Sequence, residues 1–213
     1  MLDRKIAMAT RNQLREMLTE GRCDLNKGRA FDVAMMVLET PRLAGRLIEC
    51  LWDENEGVAA RAADALETVA NQKPQVLKTW KQELLGLVGE TRGLKIRWHL
   101  GLVVLRLPLT PADCRRLGDV YSSWLDDSSS IVKTCAMQGL AELTRHDPSM
   151  KEEILDLLRQ LARSGTPAMR ARGRHLIPQL EKGLPLTWKR PRPQEHSTKS
   201  LTSPSQKLSR HAI

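Results

Sequence analysis

The side chains able to do chemistry in this chain are few and scattered. Five histidines, His99, His146, His175, His196 and His211, could serve as bases or metal ligands. None has a second ligand-type residue at i+4, the spacing that puts two ligands on one helix face. A lone imidazole fixes neither a metal nor a catalytic base. The four cysteines, Cys23, Cys50, Cys114 and Cys135, lie at least 21 residues apart and form no CxxC unit. They read as small apolar core residues. Asp126 and Asp127 are a candidate acid pair, but the serines that follow make them a turn that caps the next helix. The chain has no HExxH, no GxSxG and no phosphate-binding glycine loop. It is therefore read as non-enzymatic, with no metal site and no cofactor.

Charge is the other possible source of function. The formal net charge is +9. Residues 184–213 hold six basic and one acidic side chain, more than half of the excess. Residues 41–183 hold 21 basic and 18 acidic side chains. That near balance argues against a body built to bind nucleic acid. The segment Trp188-Lys189-Arg190-Pro191-Arg192 is a candidate short motif for a polyanionic surface.

The elements that must position these groups are helices. One Phe, one Tyr and no β-branched run leave little to build strands, so the chain reads as all-α. The stretch Val58–Val69, VAARAADALETV, places Val58, Ala62, Ala65, Leu66 and Val69 on one face. Three later stretches match it, starting at Leu94, Val132 and Met169, at separations of 36, 38 and 37 residues. Pro74, Pro111, Pro148 and Pro185 recur every 37 residues. Proline has no N–H and is at home only in a helix's first turn, so this phase marks one junction per repeat. Two helices per period of that length make a solenoid. Helices are expected over 2–20, 25–39, 42–53, 58–71, 75–89, 94–107, 112–126, 131–145, 149–162 and 168–182. Residues 1–183 form the repeat domain. Residues 184–213, rich in proline, serine and charge, form a disordered basic tail.

The second helix of each period carries an apolar residue, then small residues at +4 and +7 and an aliphatic residue at +8. At +4 stand Ala62, Trp98, Ala136 and Gly173, at +7 Ala65, Gly101, Gly139 and Leu176, and at +8 Leu66, Leu102, Leu140 and Ile177. Val58–Leu66 and Val132–Leu140 carry it best. This resembles the HEAT-repeat pattern over residues 25–183, with Trp98 and Leu176 departing from the small-residue rule. The resemblance implies a right-handed α-solenoid of four to five antiparallel helix pairs, an ARM-type superhelix. It implies little about function, because HEAT arrays host scaffolds, adaptors, lyases and a few DNA glycosylases.

In such arrays the second helices line the concave surface. The positions opposite the core stripe are +2, +6 and +9: Ala60, Asp64 and Glu67; Ile96, Leu100 and Val103; Thr134, Gln138 and Ala141; Ala171, His175 and Pro178. Ile96, Leu100 and Val103 form an aliphatic stripe expected to face outward and hold a partner. Lys95, His99, Lys133, Arg170 and Arg174 flank it, with Arg61, Arg97 and Arg172 at +3. The functional expectation is a protein-interaction scaffold or adaptor whose protein partner sits on the concave face. The alternative is a nucleic-acid binder, similar to the HEAT-like DNA glycosylases, that uses the basic flanks and tail; no residue matches that family's catalytic set. A lyase-like role is a third reading. The N-terminus lacks the apolar core of a signal peptide, no run approaches a membrane span, and the cysteine usage fits a reducing, cytoplasmic setting.

Overall fold

The computed structural model describes residues 11–20, 29–90 and 93–187. Among these, ten α-helices and four short 3-10 segments account for nearly the whole chain, and no strand occurs. The α-helices are α1 (Arg11–Thr19), α2 (Ala30–Glu39), α3 (Ala44–Glu49), α4 (Glu56–Gln72) and α5 (Lys81–Glu90). They continue with α6 (Leu94–Val104), α7 (Pro111–Trp124), α8 (Ser130–His146), α9 (Lys151–Ser164) and α10 (Pro167–Glu181).

The helix starts follow from local chemistry. Asn55, Thr110, Ser129 and Thr166 cap α4, α7, α8 and α10 by accepting backbone N–H groups that have no partner inside the helix. Thr110 and Asp113 form a reciprocal capping box. Pro41, Pro74 and Pro148 each open a 3-10 turn, and Pro111 and Pro167 are the first residues of α7 and α10. Pro185 opens no helix.

The packing order is simple. Helices α2, α4, α6, α8 and α10 lie each against the next, while α3, α5, α7 and α9 each pack on the helix that follows them. The small residues at +7 make this possible. A Cβ on Gly139 would stand 2.6 Å from Tyr121 Cζ, and one on Gly101 2.9 Å from Trp124 Cζ3. Tyr121 and Trp124 meet edge to face at 5.4 Å. Tyr121 is fully buried and donates its hydroxyl to Gly101 O at 2.5 Å. One aromatic pair on α7 thus fills the notches that glycine leaves in both α6 and α8.

The described body runs past residue 183. Gly183, with φ 64°, ends α10 in a left-handed turn. Its N–H donates to Leu180 O and the Leu184 N–H to Gln179 O, which satisfies two terminal carbonyls and reverses the chain. Residues 184–187 return across α10, and Leu186 is buried.

Candidate functional site

The matching stretches from Val58, Leu94, Val132 and Met169 lie in α4, α6, α8 and α10, and these second helices bring the side chains of interest together. Asp64 and Glu67 stand one turn apart on α4, and His99 comes from α6. His99 Nδ1 lies 2.6 Å from Glu67 Oε2 and 3.9 Å from Asp64 Oδ1. The His99 ring is stacked on Trp98, with centroids 4.9 Å apart and planes at 19°. The three side chains are only 10–15% exposed.

Glu67 also lines an open pocket of about 470 Å³. Asn71, Leu102, Leu105, Arg106, Gln138, Glu142, Leu186 and Thr187 form its other walls. Its polar side chains hold one another. Arg106 Nε donates to Asn71 Oδ1 at 3.1 Å, and its Nη1 lies 3.9 Å from Glu142. Gln138 Nε2 donates to Glu142 Oε1 at 3.1 Å, and Arg172 donates to Gln138 Oε1. Burial pushes the Arg172 guanidinium down to about 10. Gln138 and Glu142 are almost wholly buried, as hydrogen-bonded polar groups can be. Thr187, on the returning strand of chain, accepts from Gln179 Nε2 at 3.2 Å and stands 3.5 Å from His175 Nε2.

The aliphatic stripe corrects one expectation. Leu100 and Val103 are fully buried and Ile96 is half-buried against the core. Helix α6 packs against α4, α5 and α8, and α7 lays Trp124 and Tyr121 on Gly101, so the stripe does not form an open apolar face. A 100° helical wheel allots one face to the core. A helix enclosed on several sides needs more than one, and the apolar residues all round α6 were the sign of that. Trp52, which falls within the span expected to be helical over 42–53, is 61% exposed.

The flanking basic residues divide. Lys95 and Arg174 are exposed and Lys133 is half-buried. Arg170 donates to Gly165 O at 2.9 Å, Arg61 to Leu18 O at 2.7 Å, and Arg97 to Asp127 at 2.6 Å. With Arg172 on Gln138, every +3 arginine is turned to contacts inside the molecule. Asp127 also accepts the Ser129 N–H at 2.7 Å. That bond, with Arg97, holds its carboxyl below the usual range against the opposing effect of burial. Asp126–Asp127 is thus a structural turn. Trp188, Lys189, Arg190 and Arg192 lie outside the described residues, as do Cys23, His196 and His211.

The sequence did not reveal the Asp64–Glu67–His99 cluster. Its members come from two helices, and His99 is 32 residues from Glu67. A signal was present: Asp64 and Glu67 occupy +6 and +9, the positions turned from the core stripe, and His99 is +5 of the next second helix.

No family model matches the chain, and no curated protein matches it. Among solved structures it is similar to the crystal structure of an engineered protein, a Northeast Structural Genomics Consortium target. The identity is 16%, the match covers 82% of this chain and 80% of that one, and the TM-score is 0.54. At that identity the likeness concerns the fold alone.

Proposed function

We propose that the chain is a non-enzymatic interaction module: a HEAT-like α-solenoid that holds a protein partner on the face formed by its second helices. One observation carries this reading. Helices α2, α4, α6, α8 and α10 pack in sequence order, and a 470 Å³ pocket opens near the middle of the series, lined by α4, by Leu102 of α6 with Leu105 and Arg106 just beyond it, by α8, and by Leu186 and Thr187. In a repeat array each unit contacts its neighbours, so an extended surface is available to a partner. On this reading the partner contacts lie around the pocket, on exposed Asn71, Arg106 and Thr187, and not on the buried Leu100 and Val103 or the half-buried Ile96. Lys95 and Arg174, exposed on α6 and α10, can supply charge elsewhere on these helices.

The nucleic-acid reading is less well supported. Phosphate contacts need several basic side chains aimed outward. Arg61, Arg97, Arg170 and Arg172 instead donate within the molecule. A test is co-purification from the native host with tagged wild type, an Asn71→Arg/Arg106→Glu variant and an Arg115→Glu/Arg116→Glu variant. Arg115 and Arg116 are exposed on α7, away from the pocket lining. The expected result is a stoichiometric partner lost only with the first variant. Equal retention by both variants, or nucleic acid as the sole bound species, would reject the reading.

A further inference from the structure

We infer that Asp64, Glu67 and His99 form a binding site for one first-row divalent transition-metal ion of the zinc class. The ligand atoms all lie within 4.8 Å of one another and come from two helices that pack side by side. Both backbones are regular helix, so the three donors are held without a loop. The donor set is one imidazole nitrogen and two carboxylate oxygens. Imidazole selects zinc, cobalt, nickel or iron(II) over magnesium and calcium, which take oxygen donors.

The geometry is close to what such an ion requires. Metal–ligand bonds of about 2.0–2.2 Å set tetrahedral donors about 3.3 Å apart. The observed separations from His99 Nδ1, 2.6 Å to Glu67 and 3.9 Å to Asp64, bracket that spacing. Side-chain movements of about 0.6–0.7 Å bring both separations from His99 to that spacing, and Asp64 and Glu67 offer oxygens within 4.8 Å of each other. Charge argues the same way. Two carboxylates, each about 15% exposed, converge on one imidazole, which carries at most a single positive charge. A dication balances the pair better than a proton on His99 does. Glu67 also lines the 470 Å³ pocket, so the cluster borders open space on that side. This site is independent of the interaction reading and stands or falls separately.

The test is equilibrium dialysis of the full chain, stripped with chelator, against zinc(II) and then cobalt(II). All samples carry His196→Gln and His211→Gln, so that these two histidines contribute no ligand. We expect one equivalent of zinc. Binding should weaken by at least about tenfold on His99→Gln, and likewise on Glu67→Gln or Asp64→Asn. The cobalt form should show visible ligand-field bands without a thiolate charge-transfer band. Circular dichroism checks that each variant is folded; Asp64→Asn, the mildest change, carries the comparison if His99→Gln does not fold. Absence of stoichiometric binding, binding untouched by Asp64→Asn and Glu67→Gln, or a thiolate charge-transfer band would overturn the site.

Discussion

At the scale of single residues, burial decides chemistry. Burial pushes the Cys135 thiol up to about 12 and the Cys50 thiol up to about 11, and it raises Cys114 as well. In a Cys23→Ser background these three should resist iodoacetamide under native conditions and react fully in denaturant. Fast native alkylation of Cys135 would contradict the buried placement. Asp113 is a second case. Burial opposes its ionisation, but the Lys81 ammonium at 2.7 Å and the Thr110 N–H and hydroxyl outweigh it and hold the carboxyl at about 2. A carboxyl lowered in the folded state stabilises above its unfolded value of about 3.9, and that stability is lost as pH falls towards 2. Denaturation followed from pH 5 down to pH 2 should therefore show a steeper loss for wild type than for Asp113→Asn. Parallel curves would show that the pair does not contribute. Leu100 also belongs here. Because it is fully buried, Leu100→Ala should cost about 2–5 kcal/mol in denaturant titration, as core leucines do. A cost near zero would restore the exposed stripe that its position on the helical wheel suggests.

At the scale of the element, glycine has two meanings in this chain. Gly139 leaves room for the Tyr121 ring, and a methyl there would stand 2.6 Å from Cζ. Gly86, in the middle of α5, has open space where its Cβ would be. Gly139→Ala should destabilise by about 1–3 kcal/mol through overpacking, while Gly86→Ala should stabilise by about 0.4–1 kcal/mol. Thermal melts of the two variants should move in opposite directions; a Gly139→Ala melt unchanged or raised would mean that the α7–α8 contact is looser than described. Helix positions were legible in the sequence because proline phase and capping residues are local signals: Pro74, Pro111 and Pro148 each start a helical segment where the 37-residue spacing put them. The all-round burial of α6 was less legible. Ile96, Leu100 and Val103 were visible as apolar, but the number of neighbours covering them depends on how four other helices arrive. The return of residues 184–187 was also hidden. A glycine after the last helical turn announces a reversal, yet only packing shows that Leu186 ends in a pocket.

At the scale of the whole molecule, the charge distribution separates the possible partners. The described arginines at +3 are occupied within the fold, and much of the net positive charge lies in residues 184–213. Nucleic acid should therefore bind only weakly and without sequence preference, and the binding should fall steeply with added salt. Tight, salt-resistant binding that survives substitution of Lys189, Arg190 and Arg192 by serine would favour the alternative reading. The pocket could not be located from sequence because its walls come from α4, from α6 and the two residues Leu105 and Arg106 just past it, from α8 and from residues 186–187, spread over more than a hundred residues. Its chemistry was partly visible, since Glu67 and Gln138 had been placed on the side of the second helices turned away from the core stripe.

The most direct test of the second-helix face is site-specific photo-cross-linking in the native host. A photoreactive residue is placed in turn at Asn71, Arg106 and Thr187 around the pocket, and at Arg115, Asp119 and Asp156 on α7 and α9. All six positions are exposed. A partner held on the second helices gives a discrete cross-linked species from the first three positions and none from the last three. Cross-links from α7 and α9 alone would contradict the account and place the working surface on the other side of the molecule.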